Sequence, residues 1–394
     1  MMKNKEVEAD DPFLPQEIIR DILIRLPVNS LIRFQCVCRL WRDLSKDPSF
    51  IADHLHHSNR QNPYILFQGV CSYDNPSDLY SLGSDMQVWR FQNPPLIEHF
   101  NHVKIVGSSN GLLCVQTNSL RCSSHSLLLW NPAIKEVKLV PETDFRLESH
   151  GCSTIGFGFC PSLKDYKIVI TYVKNDFFGT FKVYSLRSNS WKEVKYRLVA
   201  CPIYYRVTVN GVMYWWADKI IREDDGEDFE VVIFSFDLAT EVWTVIPMPE
   251  QSSSTVYENL MVYEGKLAFV SCTEDFELRN SAIHLWVREE GVSASGETWN
   301  WTKKFTSNPY PSNGLFPETM LGNEILCRIW DSESTDTVLF NPTTEEFKKL
   351  NISKCDDKHK IFNYIESLVS AGGTKSLTKF LKRQGSSSRS LSYI

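Results

Sequence analysis

The chain of 394 residues has no run of 18 apolar residues, and its opening "MMKNKEVEADDPF" has no apolar stretch of the kind a leader needs. Neither a membrane-spanning helix nor a secretory signal is therefore expected. Positive charge is not in excess, since 42 Lys and Arg stand against 48 Asp and Glu for a net charge of −6. Nothing global steers such a chain toward nucleic acid. The eleven cysteines are odd in number and never fall as C-x-x-C, Cys36-Val37-Cys38 being one residue short. They read as reduced, mostly buried thiols of a cytoplasmic or nuclear protein, in which the sequons at Asn300 and Asn351 carry no glycan.

Catalytic and ligand-binding signatures are also missing. "HLHH" (54–57) puts only His54 and His57 on one helix face, with no Cys, Asp or Glu at ligand spacing, and reads as the polar end of a helix. "SLTK" (376–379) matches S-x-x-K but lies in a Ser-, Gly- and Lys-rich tail without a partner motif. "GFGFCP" (156–161) lacks the third glycine of a dinucleotide loop and is followed by a strand pattern, where phosphate binding needs a helix N-terminus. No metal and no cofactor is expected.

Residues 12–55, in contrast, are dense in helical pattern. Leu14, Ile18, Ile22 and Leu26 repeat at helical spacing, with Pro15 in the first turn and Pro27 as a stop. A second helix is expected from Asn29 or Ser30 to Pro48, with Leu31, Phe34, Cys38 and Trp41 on one face and Val37, Leu40 and Leu44 beside them. Two or three helices in about 45 residues bury little surface, so this module needs a partner for its remaining apolar faces.

After residue 60 the texture changes to short apolar runs punctuated by turn residues. Two half-units alternate. One is a turn followed by an apolar strand: "SSNGLLCVQ" (108–116), "TVNGVMYWWA" (208–217), "VYEGKLAFVSC" (262–272) and "MLGNEILCRIW" (320–330). The other is a strand, a polar turn and a returning apolar or aromatic residue: "LLLWNPAIKEVKLVP" (127–141), "FKVYSLRSNSWKEV" (181–194), "IFSFDLATEVWTVIPMP" (233–249) and "VLFNPTTEEFKKL" (338–350), with 283–305 a longer version. The spacings from Trp191 to Trp243 and from Trp243 to Trp299, 52 and 56 residues, are those of four-stranded propeller blades. The fold class expected is a small all-α module followed by a large all-β domain, propeller-like with about six blades; an irregular pair of β-sandwiches is the alternative, though sandwiches give no reason for the halves to alternate.

Taken together, these segments resemble a known family. Residues 14–55 are similar to an F-box, with Leu14-Pro15, Ile22-Leu23, Leu26-Pro27, Ser30-Leu31, Arg33-Phe34, Val37-Cys38, Trp41 and Pro48-Ser49-Phe50 in register. "GSSNGLLC", "LLLWNPAIKEVKLVP", "GFGFCPSLKDYKIV", "VYSLRSNSWKEV" and "NGVMYWWA" resemble the F-box-associated (type 1, kelch-like) region of plant F-box proteins, and "NYIESLVS" (363–370) its C-terminal strand; the Gly-Gly pairs of strict kelch units are missing. The resemblance implies an F-box over 12–56 and a recognition domain over 60–370, flanked by a disordered tail over 1–11 and a Ser-, Gly- and Lys/Arg-rich flexible tail over 371–394. It implies the substrate receptor of a Skp–cullin–F-box (SCF) ubiquitin ligase, non-catalytic itself, that binds a Skp-type adaptor and through it cullin and RING subunits, and that captures a protein substrate.

The adaptor contacts it implies are Leu14, Pro15, Ile18, Ile22, Leu26, Pro27, Leu31, Phe34, Val37, Cys38 and Trp41, with Trp41 the expected anchor. A narrower alternative is an S-locus-type receptor for a basic pistil ribonuclease, suited by the acidic segment 222–230. An alternative from another class is a propeller enzyme with an incidental helical prefix. Candidate target-binding loops are 222–230 and 289–298.

Overall fold

The computed structural model describes residues 14–372 apart from 62–63, 70–78, 84–86, 92–99, 120–124, 144–152, 176–177, 198–199, 224–225, 251–254, 276, 290–299, 313, 332–333 and 351–359. The expected tails 1–11 and 371–394 thus lie outside the described residues except for Ala371 and Gly372, as do "SLTK", Trp299 and nearly all of the 289–298 loop.

Four helices come first: α1 (Gln16–Ile24), α2 (Val28–Phe34), α3 (Arg39–Leu44) and α4 (Pro48–Gln61). The long second helix expected from the spacing is two. Phe34 ends α2, Val37 donates from its N–H to the Phe34 carbonyl, and Cys38 is fully extended at φ −154°. On a straight helix Phe34 and Trp41 would lie about 10.5 Å apart along the axis; the break brings their ring centroids to 5.3 Å. Packing both rings against one small core wins over helix continuity through Cys36-Val37-Cys38, a stretch of weak helix formers. Pro48 opens α4 instead of closing the preceding helix, because Asp47 caps it: its Oδ1 accepts from the Ser49 and Phe50 N–H groups, both at 2.9 Å.

The rest is a six-bladed ring of antiparallel sheets. Blade 1 holds β1 (Tyr64–Gln68), β2 (Leu79–Leu82) and β3 (Val88–Arg90). Blade 2 is β4 (Phe100–Ser109), β5 (Leu112–Ser119), β6 (His125–Asn131) and β7 (Glu136–Leu139); blade 3 is β8 (Ser153–Cys160), β9 (Asp165–Asn175), β10 (Phe178–Ser185) and β11 (Ser190–Arg197). Blade 4 is β12 (Ala200–Val209), β13 (Val212–Glu223), β14 (Gly226–Asp237) and β15 (Trp243–Ile246). Blade 5 is β16 (Thr255–Tyr263), β17 (Lys266–Asp275), β18 (Asn280–Glu289) and β19 (Asn300–Thr306), with the short β20 (Tyr310–Pro311) beside β18. Blade 6 is β21 (Leu315–Leu321), β22 (Glu324–Asp331), β23 (Ser334–Asn341) and β24 (Glu346–Leu350). The innermost strand of blade 1 comes from the far end of the chain: β25 (Lys360–Tyr364) pairs with β1, Leu66 opposite Phe362. The innermost strands β4, β8, β12, β16, β21 and β25 touch one another in a closed circle.

The alternating half-units are the two hairpins of each blade. Asn110-Gly111 and Asn210-Gly211 turn β4 into β5 and β12 into β13 with positive φ at both residues, the geometry a two-residue hairpin needs. In the outer hairpins an Asx side chain caps the turn: Asn131, Asp237 and Asn341 each accept from the N–H groups two and three residues on. Strand interiors are apolar on both faces because each blade lies between two others. In β5, Leu112 and Cys114 pack toward blade 3 while Leu113 and Val115 pack toward blade 1; in β17, Ala268 and Val270 face blade 6 while Leu267 and Phe269 face blade 4. One apolar cluster fills each of the six blade interfaces.

Polar side chains finish those interfaces. Trp191 and Trp301 donate from Nε1 to the Pro141 and Pro247 carbonyls of the preceding blade, at 2.8 and 2.9 Å. Trp301 thus makes in blade 5 the contact that Trp191 makes in blade 3. Side-chain amides from the neighbouring blade bond to the backbone of the innermost strands β4 and β21: Gln68 bridges the Val103 carbonyl and the Ile105 N–H, and Asn259 donates to the Pro317 and Glu318 carbonyls. Removing a buried partner costs about 1–3 kcal/mol for each group stranded. Asn259→Ala is accordingly expected to lower stability by roughly 2 kcal/mol or more, read as a shift in denaturant midpoint, while Ala at the exposed Asn308 shifts it little.

Candidate functional site

The helical module divides into a buried and an open side. Leu23, Val28, Leu31 and Phe50 form its core at 3% exposure or less. Leu14 just before α1, and Ile18 and Ile22 within it, are 52, 46 and 48% exposed, and Val37 and Leu40 near the helix break are 62 and 37% exposed. Five of the twelve large apolar side chains exposed among the described residues thus fall in this small module, where a single-chain fold gives no reason for them.

The contacts implied by the resemblance separate accordingly. Leu14, Pro15, Ile18, Ile22, Pro27, Val37 and Cys38 are exposed, and Leu26, Phe34 and Trp41 are half-buried. Leu31, at 2% exposure, packs in the module's own core beneath the open face. Trp41 is likewise engaged with Phe34 before any partner arrives. Cys36 is exposed, whereas Cys114, Cys160, Cys272 and Cys327 are buried and free, as most of the thiols were expected to be. Leu40 joins the open face because the helix break re-aims it. Arg33, Arg39 and Arg42 are exposed around this surface, and Arg42 Nε donates to the Gln35 carbonyl that the break leaves over.

His54 is not at a polar helix end. It is 1% exposed, and its Nε2 sits 2.9 Å from the Leu26 carbonyl, tying α4 to the end of α1. Burial holds its pKa below the usual 6.5, with the Leu26 hydrogen bond opposing and His57 adding to the shift. Arg20 reinforces the same helix pair, 2.5 Å from Asp53 and over the Phe50 ring, though an exposed pair of this kind contributes under about 1 kcal/mol. Among the described residues no group of three His, Cys, Asp or Glu side chains is placed to hold a metal.

What fixes the module is a contact that sequence reasoning missed. Its core continues into Ala133 and Leu368, with Ile134 packed alongside. Ala133 and Ile134 form the β6–β7 turn, and Leu368 lies in the segment after β25. That segment was expected to remain strand to residue 370, but strand pairing stops at Tyr364. From there it crosses under blade 2: Ser367 Oγ donates to the Asn110 carbonyl, Asn131 Nδ2 donates to the Ser367 and Val369 carbonyls at 3.0 and 2.7 Å, and Ser370 Oγ donates to Glu136. A Cβ on Gly111 would lie 2.7 Å from the Ile365 carbonyl oxygen, so the strap's path needs glycine there. One signal was legible: the turn "NPAIK" is apolar where the equivalent turns read "SLRSN", "DLATE" and "NPTTE".

The helices therefore sit on the ring face that carries the β4–β5 and β6–β7 type turns. The opposite face carries the links between blades and the β13–β14 type loops. The acidic segment 222–230 extends β13 and β14 on that opposite face, with Arg222 opposite Glu227; residues 224–225 lie outside the described set.

Comparison with known proteins agrees with this division. The family model described as the F-box associated beta propeller domain matches residues 71–371, and the F-box domain model matches residues 13–53. A putative F-box protein of Arabidopsis thaliana is 30% identical over 60% of this chain and 61% of its own length, so this chain spans less than two thirds of that relative. An F-box/kelch-repeat protein of the same plant is 25% identical over 74% of this chain and 78% of its own. F-box protein CPR1, also from Arabidopsis thaliana, is 26% identical over 90 and 88%. Among solved structures, TolB from Acinetobacter baumannii aligns with a TM-score of 0.44 at 10% identity, over 79% of this chain and 69% of that one.

Two outcomes follow from the module's anchoring. Leu368→Asp puts a charge into an apolar junction and is expected to raise hydrogen exchange in residues 16–61 by about tenfold or more while leaving blade 4 protected. Because the unfolded chain protonates a histidine that the fold keeps neutral, the His54 contribution is complete above pH 6.5 and is lost as pH falls below it toward the depressed folded value. Urea midpoints between pH 7.5 and 5 are expected to fall less steeply in His54→Gln than in the wild type.

Proposed function

The chain belongs to the F-box-associated β-propeller family, and from that premise we propose that it is the substrate-recognition subunit of an SCF ubiquitin ligase, acting as a non-catalytic adaptor. The observation that carries this reading is the open apolar face of Leu14, Ile18, Ile22, Val37 and Leu40 on a module whose opposite side is already bolted to the ring. Burying each such side chain contributes about 1.5–3 kcal/mol, and five of them exceed a moderate association cost. A Skp-type adaptor binds there, with the half-buried Trp41 and Phe34 at the margin, and brings cullin and RING subunits with it. The six-bladed ring binds the protein to be ubiquitinated. The free thiols suit a cytoplasmic or nuclear setting.

The propeller-enzyme alternative asks for acid, base or ligand groups converging in the ring. The buried amides of Gln68 and Asn259 are instead bonded to the backbone of neighbouring blades, and the Glu318 carboxylate is paired with Arg328. These are structural uses, which favour the adaptor reading.

Co-purification with the adaptor tests it. Ile22→Asp and Val37→Asp change exposed side chains, so melting is expected to stay within a few degrees of wild type while adaptor affinity falls about tenfold or more, equivalent to at least about 1.4 kcal/mol. Leu31→Ala is expected to lower stability by roughly 2–5 kcal/mol. If the aspartate variants fold and bind as well as wild type, the adaptor does not use this face.

A further inference from the structure

The chain past Gly372 starts within reach of the open apolar stripe of α1. Ala371 is packed between blades 2 and 3, and Gly372 comes close to Lys138 of β7. Lys138 lies five residues from Ala133, under about 17 Å along strand and turn. Ala133 shares the helical core with Leu23, which α1 turns inward while Ile18 and Ile22 stand exposed on its outer side. Passing around α1 adds about one helix diameter, roughly 10–12 Å. The nine residues from Gly372 to Leu381 extend to about 30 Å, enough for that path.

The sequence of this segment matches the stripe in pattern and charge. Residues 373–394 hold five lysines and arginines and no Asp or Glu, and Leu377, Phe380 and Leu381 stand at i, i+3 and i+4, the spacing of one helical face. Lys379, Lys382 and Arg383 fall among and just after them. Beside the stripe, Glu17 and Asp21 are exposed four residues apart, Arg20 is paired with Asp53, and Arg25 stands beyond at the end of the helix. The Val37 and Leu40 end of the open face is instead ringed by Arg33, Arg39 and Arg42, which repel a basic segment. Charge therefore selects the α1 half.

We propose that segment 373–394 folds back over α1, seating Leu377, Phe380 and Leu381 on the stripe of Leu14, Ile18 and Ile22 with its lysines toward Glu17 and Asp21, and that the adaptor binds by displacing it. The proposal rests on the substrate-receptor reading and adds an internal competitor that covers the docking face while no adaptor is present. Tethering gives the segment a local concentration on the order of millimolar, so a weak contact stays formed until the adaptor arrives.

Hydrogen exchange of the adaptor-free full chain, with adaptor affinity of the same preparations, tests it. In Leu377→Asp/Phe380→Asp/Leu381→Asp, residues 16–24 are expected to exchange about threefold faster or more while blade 4 is unchanged, and adaptor affinity is expected to rise about threefold or more. Lys379→Glu/Lys382→Glu is expected to act in the same direction, and adding Glu17→Lys/Asp21→Lys to it is expected to restore slow exchange, because both partners are then reversed. Equal exchange over residues 16–24 in the wild type and the triple variant overturns the proposal, as does a combined charge reversal that restores nothing. Faster exchange with unchanged adaptor affinity overturns the displacement. Faster exchange in a chain that never binds the adaptor overturns the receptor reading and leaves the fold-back standing.

Discussion

Tyr64 lies opposite Tyr364, and on that pairing the ring depends. Blade 1 takes three strands from the start of the β region and its innermost strand from the end, so the circle of inner strands closes only when the far end of the chain arrives. The few residues that follow have a second task. They cross beneath blade 2, held by Asn131, Asn110 and Glu136, and deliver Leu368 into the helical core. Ring closure and helix docking thus depend on one short segment.

That coupling gives the molecule two defined ends. Helix packing on one face of the ring leaves Leu14, Ile18, Ile22, Val37 and Leu40 pointing away from it, while blade links and the long β13–β14 hairpin occupy the other face. The proposed receptor role calls for a rigid path between the two faces, because each loose joint would lower the effective concentration of a bound target at the transfer enzyme. The six apolar clusters between blades, with Gln68 and Asn259 tied to the backbone of the next blade, provide that rigidity across the ring.

Much of this was legible in the sequence. Alternating half-units such as "SSNGLLCVQ" and "IFSFDLATEVW" marked the inner and outer hairpins, because Asn-Gly and Asx-led turns impose their own backbone geometry and each blade must repeat it. The α1 stripe was equally plain. Other features resisted for physical reasons. Periodicity over residues 30–47 fits one long helix, and only the convergence of Phe34 and Trp41, a tertiary gain, shows why it breaks at Val37. Leu31 and Ile22 have the same pattern value and opposite burial, since which side of an amphipathic helix faces the ring depends on Ala133 and Leu368, far away in sequence. His54 looked polar because its partner is a backbone carbonyl.

The proposed receptor role requires helices and ring to form one rigid body that carries the adaptor on its helical face. Electron cryo-microscopy of the purified chain with its adaptor tests it most directly. Adaptor density is expected over Leu14, Ile18, Ile22 and Val37, with a single fixed angle between helices and ring and a bare surface at Tyr204 and Val256 on the opposite ring face. Adaptor density on the Tyr204 face, or helices at many angles to the ring, would contradict it.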